Sequence, residues 1–357
     1  MKLIFHKFKT VGIFASCLIF CFSVQAEAKV RLITIGPGNA FWSAFGHTAL
    51  AINDRVYGFG YFSFEDEGLL QAFINNQMYY DIGISDFSDE LAMAEWQNRT
   101  FTVQNLDFSA EQVQQIEDYL EWHSLPENQS YRYDYFINNC ATKIRDIVDN
   151  AWEGRLKAEY SKLTQDSYFT QTFPAKNQAL MNFGIVLGYG WPAYENRTAW
   201  ELMAFPVFFQ EKLTAMSSDL VTSTTTVFQP DYKNSIYSWM NSHWFLWCYV
   251  VVLFLSLSFK KSRKLGSGFI YASQVILGAL ILYFWFFSGY DITKWNFNVL
   301  LFSPLTLLLL FSDQFKWLLM ASYLGWVVVA IMLQAWYFFP IALLHLYGLK
   351  QIPKVSN

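Results

Sequence analysis

Tyr133-Asp134-Tyr135-Phe136-Ile137-Asn138-Asn139-Cys140-Ala141-Thr142-Lys143-Ile144-Arg145-Asp146 is the stretch on which the reading of this chain turns. Beyond Cys140, the apolar residues Ile144, Ile147, Val148 and Ala151 share one helical face, and Asn138 or Asn139 is available as an N-cap. The spacing therefore predicts a helix with Cys140 in its first turn. Unpaired N–H groups and the positive end of the helix dipole favour a thiolate there, and the same N–H groups can hold an oxyanion. Of the other cysteines, Cys17 and Cys21 fall in an N-terminal apolar stretch and Cys248 in a hydrophobic span, so none easily reaches Cys140 as a disulfide partner. A lone thiol in an oxidising compartment is a candidate nucleophile.

The compartment follows from the ends of the chain. Residues 1–28 place Lys2, Lys7 and Lys9 before an apolar core from Val11 to Val24 and a small-residue Ala26-Glu27-Ala28 site, the pattern of a cleaved secretory signal. A lipoprotein signal at Cys21 is the competing reading, disfavoured by Phe20 where a small side chain is needed. Almost everything after residue 243 is apolar, so residues 237–349 read as a polytopic transmembrane domain of four or five helices. The expected spans are Trp244 to Phe259, Phe269 to Ser288, a short one from Val299 to Phe311 carrying Pro304, and Trp317 to Leu349 with a break invited by Pro340. The loop Lys260-Lys261-Ser262-Arg263-Lys264 should face the cytoplasm, and Tyr237, Trp239, Trp244 and Trp247 fit an aromatic belt at the outer surface. The formal charge of -4 gives no hint of nucleic-acid binding.

Residues 29–215 are long enough for one domain with its own core, and the polar run within 216–236 reads as a linker. Val30 to Ile35, His47 to Ile52 and Val56 to Phe62 read as strands of an antiparallel sheet with a turn at Asn53-Asp54-Arg55. Ser109-Ala110-Glu111-Gln112 is a capping box, opening a helix that must end before Pro126. The fold class is α+β.

A nucleophilic thiol needs a base to take and return protons. His6 lies in the signal, His345 in the membrane, His243 at the bilayer edge and His123 at the end of an exposed helix, which leaves His47. A third group should orient the imidazole, and Asp134, Asn139, Asn53 or a backbone carbonyl are all open to that role. Arg132, Arg145 and Asp146 flank the nucleophile and would bind a phosphate or carboxylate, or else form a surface ion-pair set. One cysteine and one histidine are too few ligands for zinc, and no cofactor is indicated.

Gly36-Pro37-Gly38, Phe45-Gly46-His47-Thr48-Ala49-Leu50 and Tyr131-Arg132-Tyr133-Asp134-Tyr135-Phe136 leading into Asn139-Cys140 resemble, in this order, the Lnb-type N-terminal periplasmic domain. Asn182 to Ala193 and Phe297-Asn298 to Pro304-Leu305 also resemble that family. The resemblance implies a permuted papain-like (NlpC-type) domain, in which histidine precedes cysteine, fixed in the bacterial inner membrane with its N-terminal domain on the periplasmic side. It further implies a lipoprotein N-acyltransferase. A phospholipid would give an acyl chain to Cys140 as a thioester, and the α-amine of a diacylglyceryl-cysteine apolipoprotein would take it. Catalytic roles would fall to Cys140 and His47, with Asp134, Asn139, Arg132, Tyr133 and Arg145 in support. The chain departs from the family at Gly58, where Asn is usual, at Ile137 and Asn139, where Tyr and Asp are usual, and at Lys143, where Arg is usual.

Leu202, Met203, Phe205, Val207, Phe208 and Phe209 would then line an acyl path at the interface, or else form an ordinary buried helix. Two rival functions use the same residues: a membrane-anchored cysteine peptidase or amidase acting on cell-wall peptides, and a non-catalytic binding module. The first differs in letting water attack the thioester, the second in needing no thiol.

Overall fold

The computed structural model describes residues 29–63, 68–175, 178–216, 219–230, 236–259 and 261–351. The stretch 1–28 expected as a secretory signal, together with Ser217, Ser218 and Lys260, lies outside the described residues.

Among the described residues, seven strands form one sheet: β1 (Val30–Ile35), β2 (His47–Ile52), β3 (Arg55–Tyr61), β4 (Tyr79–Asp86), β5 (Phe101–Leu106), β6 (Ser130–Arg132) and β7 (Val221–Phe228). The order is β6-β4-β3-β2-β1-β5-β7 and every neighbouring pair is antiparallel. The helices are α1 (Leu69–Ile74), α2 (Phe87–Trp96), α3 (Ala110–His123), α4 (Cys140–Ala151), α5 (Arg155–Glu159), α6 (Tyr168–Thr172), α7 (Ala179–Gly188), α8 (Ala199–Leu202) and α9 (Pro206–Thr214). Then come α10 (Ile236–Ser258), α11 (Arg263–Phe287), α12 (Lys316–Met332) and α13 (Phe339–Gln351).

Alternation along the strands sorts two cores. Leu32, Leu50, Tyr57 and Phe59 face α3, α4 and α9, packing with Ile116, Leu120, Ile144, Val148 and Phe209. Ile33, Ala49, Ala51, Val56 and Phe101 face α2 and pack with Ala94, Phe87 and Leu91. The small residues after His47 are what let α2 approach. Ser109 caps α3 as its sequence predicts, its hydroxyl accepting from the Gln112 N–H at 3.3 Å while the Gln112 side chain accepts from the Ser109 N–H at 2.9 Å.

The register sets one end of the sheet apart. Ile35 pairs with His47 and Phe101, and Tyr61 ends β3 beside Asp81, so these residues share an end opposite the Asn53-Asp54 turn. The helical part meets the sheet domain at this same end. The Gly289 N–H donates to the Ile74 carbonyl at 3.1 Å, and the Gly190 N–H to the Ile292 carbonyl at 2.8 Å. Tyr290 and Ile292 complete the sheet domain's own core.

Several expectations need correction. The run expected as a linker over 216–236 contains β7, hydrogen-bonded along β5 from Phe101 to Leu106. Its Thr and Ser side chains are exposed, as an edge strand allows. The stretch Val299 to Phe311 is not a span but two 3-10 segments, Phe297–Leu300 and Pro304–Leu310, because Pro304 removes a donor and Asn296 and Asn298 turn away to donate to the Leu187 and Val186 carbonyls. The last apolar stretch breaks at Gln334, where φ is 55°, and Pro340 sits in the first turn of α13, where a missing N–H costs nothing. Of the two readings of Leu202 to Phe209, the buried one holds: Leu202, Met203, Phe205, Phe208 and Phe209 all pack into the core.

Among the described residues, two helices are long and apolar enough to cross a membrane, over Asn241–Ser258 and Lys264–Phe287, and only 22% of each window is buried inside the protein. A core helix of a soluble protein would be covered. Here Val251, Val252, Phe254, Ile276, Phe286 and Phe287 stand exposed, which fits helices that cross a membrane. Trp244 and Trp247, at the start of the first window, are exposed as well.

Candidate active site

The start of α4 is fixed by a reciprocal cap. The Asn139 side-chain oxygen accepts from the Thr142 N–H at 2.9 Å, and the Thr142 hydroxyl accepts from the Asn139 N–H at 2.7 Å. The Asn139 amide group also donates to the carbonyls of Tyr135 at 2.8 Å and Ala204 at 2.9 Å, tying the helix start to the turn after α8. Ahead of it, one Asp134 oxygen accepts from the N–H groups of Phe136 and Ile137, and the other accepts from the Asn76 side chain at 2.6 Å. Arg132 donates to the Asn76 carbonyl through Nε and Nη2, at 3.0 and 2.9 Å. These three residues shape the loop that presents Cys140. Arg145 lies on the buried side of α4, donating to Asp146 and to the Trp200 carbonyl, with its guanidinium 3.9 Å from the Trp200 ring centre.

Cys140 packs against the start of β2. The backbone N–H groups of Thr48, Ala141 and Cys140 itself lie near the sulfur and favour its thiolate. Thr48 directly follows His47, so the fold carries the histidine and the thiol to the same end of the sheet. Gly60, at φ +108°, leaves room for the thiol and its neighbouring ring: a Cβ there would lie 3.9 Å from the Cys140 Cβ and 4.0 Å from the Tyr133 ring. Asn53 is at the opposite end of β2 in the hairpin turn, which removes it as an orienting group for His47. His123, expected to be exposed, is buried with its ring 5.1 Å from that of Phe59.

The group that lies against His47 is Tyr61. A bulge between Phe59 and Tyr61 turns the phenol back over β3 and β4, where Gly58 and Gly83 face each other across the strands. A Cβ at Gly83 would fall 2.5 Å from the Tyr61 ring, and one at Gly58 would fall 3.1 Å from the Tyr61 hydroxyl and 3.2 Å from His47 Nε2. The two glycines form a slot that the ring fills. The Tyr61 hydroxyl donates to Glu90 at 3.4 Å, and Ser85 donates to the same Glu90 oxygen at 2.7 Å.

Arg99 supplies a cation to this end of the sheet. Its Nε donates to the Gly36 carbonyl at 2.8 Å, and its Nη1 donates to the Gln97 side chain at 2.8 Å. Gly38 lets it in, since a Cβ there would lie 3.0 Å from the Arg99 side chain. The Gly36-Pro37-Gly38 stretch is thus a cradle for a buried guanidinium. Burial, and after it the Arg99 charge, pulls the His47 imidazole down to about 4. Burial pushes the Cys140 thiol up, against the three N–H donors and Arg99, which favour the thiolate. At rest the Cys140 thiol and the His47 imidazole are both neutral; Cys140 packs with Leu50 and Tyr57, while His47 shares its side of β2 with Ala49 and Ala51, which face α2.

Tyr133 walls the thiol on the other side. Its ring stacks on Tyr80 at 4.1 Å and meets Tyr135 edge-on at 5.1 Å, and Tyr135 is 6.4 Å from Tyr290, which follows α11. A run of aromatic rings therefore connects the thiol to the apolar helices.

Tyr61, Arg99 and the Thr48 N–H were not foreseen from the sequence. Glycines at 58, 60 and 83 were the only local sign of the Tyr61 slot, and their meaning depends on the β3–β4 register. Among the described residues, no group of three His, Cys, Asp or Glu is placed to hold a metal ion.

Residues 23–172, which hold β1 to β6, His47 and Cys140, match the family model of the Lnb N-terminal periplasmic domain. Neither the curated proteins nor the solved structures give a match to this chain.

Proposed function

We propose that this chain is a membrane-bound thiol acyltransferase that moves an acyl chain from a phospholipid, through a Cys140 thioester, to the α-amino group of a diacylglyceryl-cysteine lipoprotein. The observation that carries the reading is the position of Cys140: at a capped helix N-terminus, under the Thr48 N–H, at the end of the sheet that meets the apolar helices.

In the first half-reaction the Cys140 sulfur attacks the ester carbonyl as His47 takes the thiol proton. The carbonyl oxygen becomes an oxyanion, which needs donors such as the N–H groups clustered at the helix start. Collapse breaks the ester C–O bond, and the proton on His47 goes to the departing alcohol. In the second, the lipoprotein amine attacks the thioester, the C–N bond forms, the C–S bond breaks, and His47 accepts the amine proton before the thiol recovers it. An imidazole held near 4 is a weak base in the closed site. Substrate entry that hydrates or reorients it would raise its basicity toward the range general-base catalysis requires.

The test is mass spectrometry of a model lipoprotein's N-terminal peptide from cells that lack their own N-acyltransferase and carry this protein, intact or as Cys140→Ser. Fragmentation should locate an acyl group on the α-amine with the intact protein only. A gain of one acyl chain identifies a separate lipid donor, whereas an acylated amine without mass gain identifies an ester of the lipoprotein itself. A free amine in both cases, with released fatty acid or cut cell-wall peptide, would instead mark a hydrolase.

A further inference from the structure

We propose that the Phe41–Trp42 turn inserts into the outer face of a lipid bilayer and seats the Cys140–His47 end of the sheet against it. The inference rests on the membrane-bound reading of the chain and adds a second point of attachment, within the sheet domain itself.

Phe41 and Trp42 are 58% and 64% exposed. They belong to a 3-10 turn, Phe41–Ser43, held by its own backbone: Gly38 N–H donates to the Ser43 carbonyl at 2.8 Å, and the Ser43 hydroxyl donates to the Ala40 carbonyl at 3.0 Å. Two large rings are thereby presented outward by a braced turn. Exposed phenyl and indole rings side by side suit an apolar surface, and an indole suits the boundary between headgroups and acyl chains.

The fold also sets the depth of this turn. It joins β1 to β2 at the end of the sheet that meets the helical part, a few residues before His47. The Gln178 side chain donates to the Asn39 carbonyl, and Gln178 is the N-cap of α7. One turn along α7, the Asn182 side chain donates to the Ser242 carbonyl at 2.9 Å, and Ser242 is the second residue of the apolar window Asn241–Ser258. The turn therefore lies at the level where α10 becomes apolar, alongside the exposed Trp244 and the exposed Leu180 of α7. A bilayer that surrounds α10 from that level would meet Phe41 and Trp42. By contrast, the Asn53-Asp54 turn lies one strand length away, about 20 Å at ~3.3 Å per residue, at the opposite end of β2.

The experiment uses the full chain with its four native cysteines changed to serine, in nanodiscs of phosphatidylethanolamine and phosphatidylglycerol. A nitroxide is placed at Phe41→Cys or, as control, at Asp54→Cys, whose native side chain is 93% exposed. The label at 41 should relax at least threefold more with oxygen, relative to a soluble nickel chelate, than the label at 54. Equal, water-like relaxation at both positions overturns the proposal. In the otherwise native chain, Phe41→Ser with Trp42→Ser should reduce acyl transfer from vesicle lipid tenfold or more while alkylation of Cys140 by iodoacetamide stays within twofold. Equal loss of both would mean that the turn only supports the site, and would also overturn it. If the unaltered chain transfers no acyl group, the proposed function fails, while the nitroxide depths still decide the surface.

Discussion

The Tyr61 ring meets the His47 imidazole edge to face, with centroids 6.4 Å apart and planes at 80°. This contact exists because Gly58 and Gly83 leave a slot for the phenol and Glu90 accepts its hydroxyl. A phenol in that place can limit the imidazole's rotation without adding a charge.

Gly83→Ala should therefore disturb His47 from across the strand pair. A Cβ there would lie 2.5 Å from the Tyr61 ring, so the ring must leave the slot. We expect acyl transfer to fall about tenfold or more, in line with the loss expected when a catalytic group is misplaced by about 1 Å. Tyr61→Phe, which keeps the ring and loses only the Glu90 bond, should cost less than about fivefold, since a single exposed hydrogen bond contributes ~1 kcal/mol or less. Equal losses for the two variants would show that the hydroxyl, not the ring, matters. An unchanged pH profile in Gly83→Ala would count against a link to His47.

The pH behaviour follows from burial. With the Cys140 thiol raised, its alkylation by iodoacetamide should climb about tenfold per pH unit from pH 7 to 9, with no plateau in that range. A plateau beginning below pH 7 would mean a thiolate already formed at rest. Arg99→Met should slow alkylation at pH 8, because the cation favours the thiolate.

His47 links pH to stability as well. Its folded value, about 4, is below the ordinary 6.5, so the unfolded chain binds the proton first as pH falls. The contribution is fully present above pH 6.5 and is lost as pH drops toward 4. The thermal midpoint should decline across that window in the native chain and decline less in His47→Asn, which has no such proton to bind.

The sequence was most legible where local chemistry decides the structure. Alternation in Val30 to Ile35 and His47 to Ile52 matches β1 and β2 residue for residue, and the caps at Ser109 and Asn139 mark the starts of α3 and α4. It was least legible where long-range pairing decides. The Thr-rich strand β7 carries no apolar alternation because only its backbone joins the sheet, so it reads as a linker. His123 closes a helix that looks solvent-exposed, yet Phe59 and Tyr131 arrive from distant strands to bury it. Asp134, Asn139 and Arg132 attract attention beside Cys140, but their hydrogen bonds hold the loop and tie it to Asn76 and Ala204, while Tyr61 and Arg99 reach the site from elsewhere in the sheet domain.

Hydrogen exchange tests the β7 assignment directly. An edge strand bonds along one side only, so alternate amides in 221–228 should be protected as strongly as those of β5, which it pairs with. Complete exchange of this segment within seconds, as for a flexible linker, would place it outside the sheet.

The junction between the sheet domain and the apolar helices is sensitive at Gly289. Its N–H donates to the Ile74 carbonyl, and a Cβ on it would lie 1.9 Å from the Asn75 carbonyl oxygen, a backbone atom that cannot swing away as a side chain would. Gly289→Ala must then push apart the α1–β4 turn and the segment carrying Tyr290, whose ring fills the sheet domain's core beside Phe73 and Tyr135. Overpacking of this kind costs ~1–3 kcal/mol. The sheet domain should melt several degrees earlier in detergent, and Cys140 should alkylate faster, since the aromatic run that ends at Tyr290 also walls the thiol. A variant with native melting and native alkylation would mean that the two parts are not coupled through this contact.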